Sequence, residues 1–207
     1  MLETLVAGAL MFADTANPIQ SALERYRDVS AYQVTVKSSG GAHNEILHYY
    51  FKKSGHIRME FVTPHNGTVL VYDPIINEVR LWPFGYRTFP ALTLSPENRL
   101  IQSGAGQRID RSDVGALYRN VLALQKQGRT EIGGIEQFGG RETLHVTVEG
   151  NDGFSVGMVH RYQLWLDQAT GFPAKISSHD AAGRLIEEVE MEGLLIDPVF
   201  PDGFFDQ

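Results

Sequence analysis

The chain has 207 residues, 43% of them hydrophobic and 21% charged, which suits one domain with a sizeable core and excludes a disordered tail or a coiled coil as its main content. Its net charge of -7 argues against nucleic acid as a partner, since phosphate neutralisation needs clustered cations and only Lys52-Lys53 and the Arg108/Arg111 pair approach a cluster. No cysteine is present, which removes thiol catalysis, thiolate metal sites and disulfide staples together.

Residues 1–16 read as a partial or trimmed signal segment: Leu5 to Ala13 is apolar, but Glu3 stands where a basic region belongs. The run is too short to span a bilayer. Residues 17–207 read as a single domain. Asn17-Pro18 pairs a cap with a first-turn proline, and Ile19, Ala22, Leu23 and Tyr26 follow at helical spacing.

From Val29 to Phe84 the period becomes two, in a meander of about five strands broken by turns such as Ser54-Gly55 and Asp73-Pro74. Tyr32, Val34 and Val36 alternate with Gln33, Thr35 and Lys37, and Ile57, Met59 and Phe61 with Arg58 and Glu60, so one face is wet and the other apolar. The middle then turns helical. Ser95-Pro96 repeats the cap-plus-proline start, and Val114, Leu117, Tyr118, Val121 and Leu122 form an amphipathic stripe closed by Gly128. Five strands follow, around 130–137, 141–149, 158–167, 172–179 and 184–193. Hairpin-length turns leave no room for parallel crossovers. The fold class is therefore mainly β (α+β): one curved antiparallel sheet forming an unclosed barrel, with helices over its concave side.

Several signals resemble chemistry. Gly153-Phe154-Ser155-Val156-Gly157 spells a nucleophile elbow, but that motif needs a strand before the serine and a helix after it, whereas turn residues precede Ser155 and a strand pattern follows. An esterase using Ser155 is the remote alternative. None of the seven histidines has metal-ligand spacing, and no loop matches a phosphate cradle, so neither metal nor organic cofactor is expected. Glu187, Glu188, Glu190 and Glu192 sit together, yet the last three alternate with Val189 and Met191 and read as a solvated strand face. What remains is an apolar inner face, formed by Ile57, Met59, Phe61, Val69, Val71, Leu81, Leu164 and Leu166, either as packed core or as the lining of a ligand cavity.

Two hairpins carry a family resemblance. Tyr50 to Pro64, followed by Val69-Leu70-Val71-Tyr72-Asp73, resembles the hairpin of the LolA-like superfamily of periplasmic lipoprotein carriers. Leu164-Trp165-Leu166-Asp167 with Thr170-Gly171-Phe172-Pro173 resembles the hairpin common to those carriers and the related sigma-factor regulator domain, as does the terminal Pro201-Asp202-Gly203-Phe204-Phe205. The sequence departs from the pattern at Ser54, where proline is usual, and in the insert from Pro83 to Asp110. The resemblance implies a monomeric, non-enzymatic periplasmic protein that binds a lipid or acylated lipoprotein and exchanges it with membrane donor and acceptor proteins, or a sensor or interaction module on the same fold. It also places Ile57, Met59 and Phe61 on the cavity wall. Leu117, Tyr118 and Val121 are then expected on a lid hinged at Gly104 to Gln107.

Overall fold

The structure is a computed structural model that describes residues 17–40, 43–103 and 106–207; the signal-segment expectation and two of the four hinge residues, Gly104 and Ala105, lie outside them. Helix α1 (Pro18–Tyr26) opens as its sequence demands, with Asn17 Oδ1 accepting from the Ile19 and Gln20 amides at 3.1 and 3.3 Å. It buries Ile19, Ala22 and Leu23.

A first meander follows: β1 (Ala31–Gly40), β2 (His43–Lys52), β3 (His56–Thr63), β4 (Val69–Asp73), β5 (Glu78–Trp82) and β6 (Leu92–Leu94). A second comprises β7 (Gly128–Phe138), β8 (Arg141–Gly150), β9 (Arg161–Asp167), β10 (Pro173–His179) and β11 (Leu185–Ile196). Each strand pairs antiparallel with its chain neighbour, and the two meanders are sewn together by β1 against β11. The result is one 11-stranded sheet whose order runs from β6 to β7 through that central pair, leaving β6 and β7 as edges. The sheet is unclosed, as expected from the turn spacing. Asp197 locks the end of the central ladder, its Oδ1 accepting from the Ser30 and Ala31 amides at 2.7 and 2.9 Å.

The insert differs from its reading as helix. Leu92 and Leu94 form the edge strand β6 against Val79 and Leu81 of β5, and the helical content is two isolated turns, Arg99–Ile101, capped by Asn98, and Ile109–Arg111. The seven residues between Pro96 and Gly104 are too few to repay helix nucleation. Strand β9 begins at Arg161 because Val156 and Val159 close a tight bridged turn before it.

Helix α2 (Val114–Gln125) is capped by Asp113, whose Oδ1 accepts from the Ala116 amide at 3.0 Å. It lies across α1 and the β7–β8 hairpin. Gly115 permits that approach, since a Cβ there would stand 2.6 Å from Tyr26 Cε1. One continuous core lies on the concave face. Under α1 lies an aromatic cluster of Tyr26, Tyr32, Phe51 and Phe172, with ring centroids 5.2–6.3 Å apart. Under α2, Tyr118, Val121 and Leu124 join Val146, Val148, Leu164 and Leu166, all buried.

Candidate ligand cavity

Between the helices and the first meander the concave face is not filled. A cavity of about 540 Å³ opens there, floored by Leu47, Tyr49, Met59, Phe61, Leu70 and Leu81 from β2–β5. Ile176, Val189 and Met191 of β10 and β11 form its far wall, and residues 100–103, 107–109 and 111–114, with Leu117 of α2, cover it. Period-two alternation produces this floor, because β3 and β4 pair Met59 with Leu70, and β4 and β5 pair Leu70 with Leu81.

Polar groups are gathered at two places. In the cover, Arg108 is saturated by acids: its Nε and Nη2 donate to Asp110 at 2.9 and 2.7 Å and its Nη1 to Glu97 at 2.7 Å. In the wall, Glu187 Oε1 accepts from Ser38 Oγ at 2.6 Å. Burial pushes the Glu187 carboxyl above the usual carboxylate range, an effect the Ser38 donor opposes and nearby Glu45 reinforces. Tyr162, beside them, is pushed up to about 12 by burial and by Glu187. Tyr49 is likewise raised by burial, with its hydroxyl 3.1 Å from Ser112 Oγ.

The structure divides the residues singled out in the sequence. Met59, Phe61, Leu81 and Leu117 line the cavity. Ile57, on the same strand face, is sealed at 2% exposure opposite Phe51, and Leu164 and Leu166 are sealed under α2, so all three belong to dry core. Tyr118 and Val121 are fully buried in that core too, and the Tyr118 hydroxyl donates to the Gly171 carbonyl. Of the three lid residues only Leu117 faces the cavity; what covers the space is chiefly the segment before α2.

Val69 and Val71 are a correction: they lie on the opposite, convex face with Trp82, under Tyr86, Ala91 and Phe205. Pairing of Val69 with Glu60 and Val71 with Arg58 puts them on the side that faces away from Met59. That outer cluster is finished by Arg58, whose guanidinium lies 4.0 Å from the Tyr86 ring centroid and 4.4 Å from that of Phe204.

Glu187 is the functional candidate that sequence reasoning left on the wet face. Only Glu188, Glu190 and Glu192 point outward; Glu187 shares the phase of Val189 and Met191 and turns inward with them. That shared phase was the available signal. Ser155 has no elbow geometry: its Oγ contacts only the Gly153 carbonyl, at 3.4 Å, and His160 Nδ1 is spent on the Phe154 carbonyl at 2.7 Å. Among the described residues no group of three His, Asp or Glu side chains gathers in a metal-binding arrangement, and no helix is long and apolar enough to cross a membrane.

Comparison with known proteins agrees with this architecture. Among solved structures, an uncharacterized conserved protein from Thermus thermophilus superposes with a TM-score of 0.58 at 12% identity, covering 92% of this chain and 94% of that one. MucB in the Pseudomonas aeruginosa MucA/MucB complex gives 0.59 at 14% identity, over 94% of this chain but 61% of MucB, so the chain spans under two thirds of that protein. The Mycobacterium tuberculosis lipoprotein LppX gives 0.54 at 11% identity, covering 89% and 96%. At these identities the likeness is one of fold. No curated protein matches the sequence. The profile of the MucB/RseB N-terminal domain matches residues 93–206, from the edge strand β6 to the terminal phenylalanines, which include the second hairpin that carried the LolA-like resemblance. More than half of the chain is thereby accounted for, and it belongs to the MucB/RseB N-terminal domain family.

Proposed function

We propose that the protein binds the acyl chains of a lipid or lipoprotein in the periplasm, inside the cavity floored by Met59, Phe61 and Leu70. The observation that carries this reading is the cavity itself: its volume of about 540 Å³ falls inside the range of roughly 300–1,000 Å³ typical of small-molecule sites, and its floor is aliphatic and aromatic. A well-packed core does not leave such a space unfilled without cost. The protein works as a monomer without metal or organic cofactor, and Ser155 performs no chemistry.

What occupancy achieves has two forms. A carrier hands its lipid from a membrane donor to an acceptor. A sensor changes its affinity for a protein partner when the cavity fills. Family membership favours the second, since MucB is found in complex with MucA. Lipid extraction and native mass spectrometry of protein purified from its own cell envelope test the shared premise. Co-purified acyl lipid, lost when Met59 and Phe61 are replaced by glutamine, is the expected result; a protein free of lipid that also fails to take up added lipid refutes it.

A further inference from the structure

An acyl chain does not account for the polar end of the cavity. There, Ser38 on β1 pairs with Glu45 on β2 on one side and with Val189 on β11 on the other, and Glu187 stands two residues from Val189 on the same face. Ser178 of β10, opposite Glu187, donates its hydroxyl to the Glu187 carbonyl at 3.2 Å. The single Ser38 proton is committed to Glu187 Oε1. Among the described residues neither Glu45 nor Glu187 has a Lys, Arg or His within ion-pair distance, although the outward carboxylates beside them do: Glu188 meets Lys175 at 2.9 Å and Glu192 meets Lys37 at 2.7 Å. Of the arginines lining the cavity, Arg108 is held by Asp110 and Glu97, while Arg111 is an exposed side chain in the cover, 4.0 Å from Asp110. The apolar floor and far wall thus run to two carboxyl groups, of which Glu187 accepts from Ser38 alone and Glu45 accepts from no described residue. Both side chains are half-buried, and a carboxylate drawn partly out of water gains from a cation that meets it.

We infer that the cavity takes an amphiphile whose head carries a protonated amine, the ammonium seated between Glu187 and Glu45 and the alkyl chain running over Met59 and Phe61. This rests on the reading that the cavity holds alkyl chains. The test is calorimetric titration at neutral pH with decylamine, 1-decanol and decanoate, which share a chain and differ in head charge. Decylamine is expected to bind about tenfold more tightly than decanol, as one charge-assisted contact of about 1.4 kcal/mol provides, with decanoate weakest. Glu187→Gln keeps the acceptor for Ser38 and should bring decylamine down to the decanol value while leaving decanol unchanged. Glu45→Gln, at a carboxylate that makes no hydrogen bond among the described residues, should lower the preference severalfold and serves if the first variant fails to fold. Glu192→Gln removes the same charge from the convex face and should change nothing. Lysophosphatidylethanolamine against lysophosphatidylglycerol then separates an aminolipid head from a simple alkyl amine, the former being preferred only if the amine can sit beside a phosphate. Equal binding of decylamine and decanol, or a preference that survives both glutamine variants, overturns the amine assignment and leaves alkyl binding standing. Failure of all three decyl compounds to bind overturns both.

Discussion

Met59 and Leu164 occupy the same concave face of one sheet, yet the structure assigns them opposite energetic roles, and a matched pair of substitutions separates these. Leu164 is 0% exposed beneath α2, so Leu164→Gln forfeits about 1.5–3 kcal/mol of side-chain burial and strands an amide in dry surroundings for about 1–3 kcal/mol more. Met59 faces the open cavity, where water can reach a glutamine head, so Met59→Gln should cost under about 1 kcal/mol. For a chain of this length 1 kcal/mol moves the unfolding midpoint by about 2–4 °C, which predicts a loss of roughly 5 to 24 °C for Leu164→Gln and a few degrees at most for Met59→Gln. Thermal unfolding followed by circular dichroism supplies the stabilities, and displacement of a fluorescent fatty acid supplies the binding. Met59→Gln should weaken that binding by about tenfold or more, because an amide dipole then meets the alkyl chain. If instead Met59→Gln unfolds as readily as Leu164→Gln and leaves fatty-acid binding unchanged, Met59 belongs to packed core and the cavity reading fails.

Three further outcomes follow from the same geometry. Glu187 titrates above its ordinary value of 4.5 in the folded protein, so its contribution to stability is complete below that pH and disappears as pH rises through the raised folded value; chemical denaturation across this window should show native protein losing stability relative to Glu187→Gln, and parallel pH profiles would discount the buried carboxyl. Hydrogen exchange of the cover, residues 101–103 and 107–112, should be fast in the free protein and slowed by bound lipid, because the Ser103 amide bonds the Gln107 carbonyl and the Gln107 amide the Ser103 hydroxyl, short-range bonds that tie neither residue to the sheet; exchange that lipid leaves unaltered would make the cover a static wall. Ser155→Ala should leave lipid binding intact and a fluorophosphonate probe should not label the native protein, whereas labelling lost in the variant would restore the esterase alternative.

How much of this was legible in the sequence depends on whether a strand shows contrast between its faces. In β3, Ile57, Met59 and Phe61 alternate with charged residues, so the inward face could be read without coordinates, and the pairing agrees. In β4 both phases are apolar, and nothing in Val69-Leu70-Val71-Tyr72 distinguishes them; only the register against β3 sends Leu70 inward and Val69 outward. The stripe of α2 was legible as amphipathic, but which of its residues meet core and which meet empty space depends on how far the helix sits from β3 and β4, a tertiary distance that no periodicity encodes. Edge strand β6 escaped because it is three residues long and exists only by docking on β5.

The linear strand order has a consequence for the order of assembly. Every ladder but one joins strands that are neighbours in the chain, so each meander can form from short-range hairpins alone. The exception brings Tyr32 beside Ile196, 164 residues further along the chain, and it is also the longest-range closure the fold must make. During synthesis β1 therefore waits, with one side paired to β2 and the other a bare row of amides and carbonyls, until β11 has been made. Folding rate should accordingly respond most to substitutions along Thr35, Lys37 and their partners Glu192 and Glu190, and an exposed β1 is the place where an incomplete chain would recruit another copy of itself.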